Sequence, residues 1–163
     1  MEKIFLELKK FTEDVVEFNP TVDERLVAEF EEKYNLHLPA DYKEFLKYSN
    51  GVSLMGSEVY GIGNTGNVQN LEKVYQFEHF EVQVPQYSYL VPFSDDGRGG
   101  FYCFDCNKKS DNENSCPIIF WISNYVYTEN DTPAVTNSSF QDFVKEVLIE
   151  WTLEDYDYDG NEI

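Results

Sequence analysis

Three cysteines are the residues of this chain whose types and spacing most directly suggest chemistry. Cys103 and Cys106 form a Cys-x-x-Cys pair, and Cys116 follows in the same region. Thiols in such patterns bind zinc or form a redox pair. However, Cys103 and Cys106 are an odd number of positions apart on a predicted strand, so their side chains point to opposite faces. We therefore predict buried strand cysteines, with no metal and no cofactor.

The C-terminal segment carries a second chemical pattern, which matches the first half of a calcium-binding loop. Asp155, Asp157 and Asp159 alternate ahead of Gly160. A complete loop needs a bidentate Glu at its twelfth position, whereas the sequence ends at the ninth, Ile163. The simpler interpretation is an acidic tail over residues 154–163, and cation binding by that tail stays open.

Candidates for catalysis are few in this sequence. His37 and His79 are the two histidines, and neither belongs to a recognisable nucleophile motif. The glycine-rich stretch 97–100 leads into a predicted strand instead of a helix, beside two carboxylates, which does not suit phosphate binding. Paired carboxylates could cleave glycosides, but an acidic chain always offers such pairs. We predict no enzyme activity, and a small carboxylate-based hydrolase is the less favoured alternative.

Net charge is the most informative property of the composition. The 163 residues carry a formal charge of −19, with 42% hydrophobic and 17% aromatic residues, which fits one folded domain. Such a charge repels nucleic acids and anionic membranes and attracts basic proteins. The excess is concentrated late, because residues 110–163 contain twelve acids and a single base, Lys145. An odd cysteine count and the absence of a signal peptide or long apolar run predict a cytoplasmic protein.

Hydrophobic periodicity predicts three helices in the first third of the chain. The first ends at Asn19-Pro20, and one of its faces is formed by Ile4, Leu8, Phe11 and Val15. A capping box from Thr21 to Glu24 opens the second, whose inward stripe is Val22, Leu26, Val27, Phe30 and Tyr34. The third covers 38–51 with Pro39 in its first turn and Asn50-Gly51 at its end, and its apolar face is Tyr42, Phe45 and Leu46.

The middle of the chain changes to strand patterns, and its end returns to a helix. Strands are predicted within 52–62, 87–93, 101–104 and 117–121, and also at 125–127, with a hairpin turn at 95–100. Residues 68–80 fit a helix or a bent strand. Ser138 or Ser139 caps a last helix whose apolar face is Phe140, Phe143, Val144, Val147, Leu148 and Trp151. This order predicts an α+β fold in a single domain, residues 1–153, with a mixed or antiparallel sheet flanked by N-terminal helices and a C-terminal helix.

Three motifs in this order, made of four segments, resemble the SUKH superfamily, which includes bacterial immunity proteins and a fungal cell-wall assembly regulator. They are the Leu-Pro helix ending in Asn-Gly at 38–51, the Gly-aromatic and Pro-hydrophobic strands at 99–105 and 116–121, and the start of the last helix at 139–143. The resemblance covers about residues 22–151. It implies a SUKH-like fold and an immunity protein (antitoxin) that neutralises a cognate toxin, such as a nuclease, by direct binding.

The charge placement independently suggests which surface would bind such a basic partner. We predict that partner-binding residues lie on and after the last helix, with a second group at the central hairpin; they are Asp142, Glu146, Glu150, Asp155, Asp157 and Asp159, and then Asp95, Asp96 and Asp105. Carboxylates there would occupy the cationic side chains with which a nuclease binds phosphate. The alternative is an intracellular scaffold or regulator of the same fold with no toxin partner.

Overall fold

The computed structural model describes residues 1–109 and 114–163, which form two antiparallel sheets with helices around them. The first sheet has the order β1-β2-β3, formed by Val16–Phe18, Val52–Leu54 and Ser57–Val59. The second has the order β4-β5-β6-β7, formed by Leu90–Asp95, Gly100–Asp105, Ile118–Ile122 and Ala134–Asn137. The predicted α+β class is confirmed, and both sheets are antiparallel.

Within residues 1–109 and 114–163, four helices precede or separate the strands, and one long helix closes the fold. The first four are α1 (Glu2–Leu8), α2 (Glu24–Tyr34), α3 (Ala40–Leu46) and α4 (Leu71–Phe80). The C-terminal helix runs without a break through α5 (Phe140–Phe143), a π-helical segment (Val144–Glu150) and α6 (Trp151–Asp155). Within the described ranges, no helix has both the length and the apolar character needed to cross a bilayer.

The N-terminal region differs from its predicted helical organisation. The first helix ends at Leu8 instead of continuing to Asn19, and Val16 pairs with Leu54 as part of β1. Phe11 and Val15 are buried as expected, but from irregular backbone. The helix predicted as far as Asn19 is therefore wrong after Leu8, because the apolar spacing of Phe11 and Val15 also fits a turn followed by a strand. In α2, Asp23 and not Thr21 is the cap, and its carboxylate accepts a hydrogen bond from the Arg25 amide at 3.0 Å.

Helix α3 buries its predicted face, although it ends earlier than predicted. Tyr42, Phe45 and Leu46 are all at most 1% exposed. The helix stops at Leu46. The Asn50 side chain donates a hydrogen bond to the Ile62 carbonyl and accepts one from the Ile62 amide, both at 2.8 Å. Gly51 adopts a φ of +85° as the chain turns into β2. The Asn-Gly pair thus joins α3 to the first sheet instead of capping the helix.

The four-stranded sheet has an apolar layer on each face. On one face, Phe93 and Phe104 stack with ring centroids 4.1 Å apart, and Phe140 of the C-terminal helix packs on both. The opposite face holds a smaller cluster of Leu90, Cys103, Ile119 and Trp121. The hairpin predicted at 95–100 joins β4 to β5. Residues 71–80 are helical, whereas the strand predicted at 125–127 is absent from the described structure and β7 takes the fourth position.

The π-helical segment changes which side of the C-terminal helix is buried. Ser139 caps the helix, with its hydroxyl accepting a hydrogen bond from the Asp142 amide at 3.1 Å. Regular α-helical spacing would place Trp151 on the buried face with Val144 and Leu148. The i→i+5 bonds of a π-helix put more residues in each turn. Ile149 is therefore buried instead, and Trp151 is 54% exposed.

Candidate functional site: an acidic groove

A groove of about 460 Å³ lies where three separate elements approach one another. Its walls are the β2–β3 turn, the β4–β5 turn and the C-terminal helix. The side chains that characterise it are Met55, Asp95, Asp96, Trp151 and Asp155. We call this feature the acidic groove. It combines one exposed aromatic ring and one thioether with three carboxylates.

Met55 and Gly56 form the tight turn between β2 and β3. Both have positive φ, at +50° and +85°, which is typical of the two-residue type I′ hairpin turn. A methionine rarely occupies this left-handed conformation, because its Cβ crowds the backbone at a cost of about 1–2 kcal/mol. The turn nevertheless holds Met55 40% exposed at the groove. Residues with strained backbone conformations cluster at functional sites.

Asp95 and Asp96 are fixed by the β4–β5 turn that carries them. Asp95 accepts hydrogen bonds from the Gly97 amide at 2.7 Å and from the Tyr60 hydroxyl. Asp96 accepts bonds from the Arg98 and Gly100 amides, both at 2.8 Å. Carboxylates held by backbone donors keep one orientation, so both groups face the groove without the entropic cost of a free side chain.

Trp151 and Asp155 line the groove from the C-terminal helix, one turn apart. Exposure of Trp151 follows from the π-helical segment that precedes it, since this segment rotates the helix surface. π-helical segments occur frequently at functional sites. Asp155 is exposed and ends the last helical turn. Met55 and Trp151 line the groove, and the buried Tyr60 supports it through its hydrogen bond to Asp95. The sequence patterns placed Met55 and Tyr60 within a predicted strand region and Trp151 on the apolar face of the last helix.

The structure distributes the nine predicted residues over several places. Asp95, Asp96 and Asp155 come together at the groove. The remaining helix acids lie outside it: Asp142 accepts a bond from Ser138, Glu146 from Asn137 at 2.8 Å, and Glu150 pairs with Lys145 at 3.5 Å. 

The last three predicted residues also lie away from the groove. Asp157 lies in the turn of the tail, where its carboxylate accepts a bond from the Asn161 side-chain amide at 3.0 Å and bonds from the Asn161 and Asp159 backbone amides at 2.9 Å each. These bonds, that of the Asn161 side chain above all, lower the pKa of Asp157. Asp159 is exposed in that turn. The Asp105 side chain is 3% exposed and contacts Lys108 at 3.4 Å. Burial leaves Asp105 little surface to offer a partner.

The tail after the C-terminal helix packs on the body of the protein. The Tyr158 ring lies 4.9 Å from that of Phe11, and the Tyr158 carbonyl accepts a bond from the Thr12 amide at 3.0 Å.

Most late carboxylates lack a cationic neighbour. Among the described acids from Asp142 to Glu162, Glu150 alone has an ion pair with a base. The other carboxylates of the helix and tail therefore have no ion pair within the described part of the chain.

Two carboxyl groups with raised pKa values, Asp41 and Glu78, lie in the interior of the protein. Burial raises the pKa of Asp41, which accepts a bond from the Gln141 amide at 3.3 Å. Burial also raises the pKa of Glu78, which accepts a bond from the Ser123 hydroxyl at 2.9 Å. His79 is stacked on Tyr75 with centroids 3.9 Å apart, and burial lowers its pKa. All three side chains therefore contact other residues of the protein.

The cysteines occupy both faces of the four-stranded sheet, as strand alternation predicts. Cys103 belongs to the small cluster with Trp121, whereas Cys106 and Cys116 pack against the main core on the other face. All three are free thiols, and Cys106 is partly exposed just beyond the end of β5. Within the described part of the chain, no group of three or more His, Cys, Asp or Glu side chains is arranged to hold a metal ion.

The structure thus defines an α+β domain with a groove that three carboxylates and exposed apolar side chains line. The model of the SMI1 / KNR4 family (SUKH-1) matches residues 21–146, which is more than half of the chain, so this protein belongs to that family. A crystal structure of a protein from Pseudomonas syringae pv. tomato has the same fold, with a TM-score of 0.64 and 22% identity over 92% of this chain and 99% of that one. No curated protein sequence matches the chain.

Proposed function

We propose that this protein is a non-enzymatic, cytoplasmic protein-binding domain that neutralises a basic toxin, such as a nuclease, by occupying its cationic surface. The observation that carries the proposal is the acidic groove, which Asp95, Asp96 and Asp155 line together with the exposed Trp151 ring. A lysine or arginine of the partner can pair with these carboxylates and lie over the indole ring, which attracts cations. Membership of the SMI1 / KNR4 family supports a binding role.

Several physical features of the groove support binding over catalysis. Trp is among the side chains that contribute most to binding energy in protein interfaces, particularly beside polar groups that exclude water. The net charge of −19 accelerates encounter with a cationic protein. A carboxylate hydrolase needs a desolvated acid at its cleft. Asp41 and Glu78, the buried carboxyl groups whose pKa values burial raises, both lie outside the groove.

The second candidate function is an intracellular scaffold or regulator that uses the same groove. Membership of the family is the observation that favours it, because the resemblance to the fungal branch implies assembly roles without a toxin. Gene context separates the two candidates. A large toxin gene directly adjacent to this one favours immunity, and its absence favours the scaffold.

The test measures binding to a purified basic partner, identified as the product of the adjacent toxin gene or by co-purification from the native cell. Asp155→Lys is the informative variant, since the Asp155 side chain has no hydrogen bond to lose in the described structure. Glu154→Lys is the matched control, because it makes the same charge change one residue away, on a side chain outside the groove. We expect Asp155→Lys to weaken binding by about tenfold or more, mainly by slower association, and Glu154→Lys to change it by less than about threefold.

Trp151→Ala tests the aromatic part of the groove. We expect it to accelerate dissociation by about tenfold or more, because truncation of a central interface Trp typically costs over 2 kcal/mol. Equal binding by Asp155→Lys and Glu154→Lys, together with unchanged dissociation of Trp151→Ala, would show that the partner binds another surface. Turnover of the partner by the purified protein would contradict the non-enzymatic role.

A further inference from the structure

The register of the β5–β6 pair brings Cys106 opposite Cys116. The two strands are antiparallel, with Phe104 paired to Ile118. Beyond that pair the ladder continues, because the Asp105 amide donates to the Pro117 carbonyl at 3.0 Å. The next opposed pair in this register is Cys106 with Cys116. These two residues therefore face each other across the ladder, although ten positions separate them in sequence.

The hydrogen-bond pattern identifies this position as a non-hydrogen-bonded pair. Asp105 bonds towards β6, whereas the Cys106 amide bonds in the other direction, to the Tyr89 carbonyl at 3.0 Å. Opposed residues at a non-hydrogen-bonded position have Cα atoms about 4.5 Å apart and their side chains closest together. A disulfide needs Cα atoms about 4.4–6.8 Å apart. A non-hydrogen-bonded position therefore has the Cα spacing that a cross-strand disulfide requires.

Both thiols also point to the same side of the sheet. Cys106 and Cys116 pack against the main core, whereas Cys103 lies in the cluster on the opposite face. Contact between the two thiols, together with burial, raises the pKa of Cys116. Cys116 is 4% exposed, and Cys106 is partly exposed. An oxidant from solution therefore reaches Cys106 first, with Cys116 already beside it.

We propose that Cys106 and Cys116 form a reversible thiol–disulfide site that hydrogen peroxide or an organic hydroperoxide oxidises. Cys106 attacks one peroxide oxygen, so that an S–O bond forms, the O–O bond breaks and the first water leaves, in the case of hydrogen peroxide. The Cys116 sulfur then attacks the Cys106 sulfur, so that the S–S bond forms and the S–O bond breaks, and the hydroxyl leaves with the Cys116 proton as the second water. Two electrons pass from the thiols to the peroxide, and a dithiol reductant reverses the change.

The neighbouring contacts hold the later cysteine in place for this reaction. The Asn114 carbonyl accepts a bond from the Asp41 amide at 3.1 Å, and the Ser115 hydroxyl accepts one from the Phe140 amide at 3.1 Å. These bonds attach the residues just before Cys116 to α3 and to the C-terminal helix. Oxidation then ties the two ends of segment 106–116 together and leaves these anchors unchanged.

Peptide mapping tests the proposal, because Lys108 and Lys109 lie between the two cysteines. The full chain is treated with hydrogen peroxide, its remaining thiols are alkylated in denaturant, and trypsin cuts after both lysines. We expect a monomer about 2 Da lighter, one alkylated thiol on Cys103, and peptides containing Cys106 and Cys116 that stay linked until a reductant is added. Cys103→Ala should form the same link, whereas Cys106→Ser and Cys116→Ser should not.

Thermal unfolding gives an independent readout of the same site. Closing a short loop constrains the unfolded chain, so the oxidised protein should unfold about 5 °C higher than the reduced one. Addition of dithiothreitol should restore the lower midpoint. A link involving Cys103, links only between molecules, or oxidation to sulfinic acid with both peptides separate would overturn the proposal. Cys106→Ser keeps the test valid if the buried Cys116→Ser variant does not fold.

Discussion

The Tyr60 hydroxyl donates a hydrogen bond to the Asp95 carboxylate, which connects the interior of the protein to the wall of the acidic groove. Tyr60 is itself held by Tyr42 of α3, whose hydroxyl donates to the Tyr60 carbonyl at 2.7 Å. Burial and the Asp95 carboxylate both raise the pKa of Tyr60, so the hydroxyl stays protonated as a donor. Two consecutive hydrogen bonds thus connect Tyr42 of α3 to the buried Tyr60, and Tyr60 to the groove carboxylate of Asp95.

Removing the Tyr60 hydroxyl should destabilise the protein. We expect Tyr60→Phe to lower the free energy of unfolding by about 1–2 kcal/mol, because a half-buried carboxylate loses one of its donors. Urea denaturation measures the change. Tyr48→Phe is the control, since Tyr48 is 44% exposed and should change stability by less than about 0.5 kcal/mol. Equal effects of the two substitutions would show that the Tyr60–Asp95 bond contributes nothing.

The π-helical register predicts opposite consequences for two neighbouring large residues. Ile149 is 3% exposed and Trp151 is 54% exposed. Ile149→Ala should therefore lower the free energy of unfolding by about 2–4 kcal/mol, because it leaves a cavity. Trp151→Ala should lower it by less than about 1 kcal/mol. Regular α-helical spacing would give the larger cost to Trp151. Unfolding by urea distinguishes the two registers directly.

Gly51 should resist substitution more strongly than Gly97, although both have positive φ, at +85° and +69°. A Cβ at Gly51 would lie 2.6 Å from the Val59 carbonyl oxygen, whereas one at Gly97 would meet nothing within 4 Å. Gly97→Ala should cost about 1 kcal/mol from backbone strain alone. Gly51→Ala should cost about 1–3 kcal/mol more, from the added clash. Thermal or urea unfolding of both variants checks this, and similar costs would refute the clash.

The buried Glu78 carboxyl group should make stability depend on pH. Burial raises the pKa of Glu78 above its value in the unfolded chain. The native state therefore holds this proton more tightly, so the contribution of Glu78 is greatest below the unfolded pKa and is lost as pH rises through the folded pKa. Glu78→Gln should remove that loss and become more stable than the parent at neutral pH.

The measurement for Glu78 is the difference in unfolding free energy between parent and variant from pH 4 to pH 8. Asp41, whose pKa is also raised by burial, is present in both proteins, so its contribution cancels. The difference should grow in favour of Glu78→Gln as pH rises. A difference that stays constant with pH would show that folding does not raise the pKa of Glu78.

Sequence patterns identified the elements whose identity depends on local chemistry. The α3 face, the β4–β5 turn and the Ser139 cap were predictable, because apolar spacing, turn residues and capping hydroxyls act within a few positions. The same local evidence could not distinguish an early helix from a short strand at Val16–Phe18. That strand exists because its backbone pairs with Leu54 and its neighbours, which are far away in sequence.

By itself the sequence determined the α+β class, the family resemblance and the strongly acidic end of the chain, because these follow from composition and from the order of local patterns. Tertiary structure alone decided which carboxylates meet. Asp95, Asp96 and Asp155 share one groove because a hairpin and a helix fold towards each other, while Asp105 is buried. It also decided that Trp151 is exposed, because the π-helical turn depends on how the helix packs and not on residue spacing.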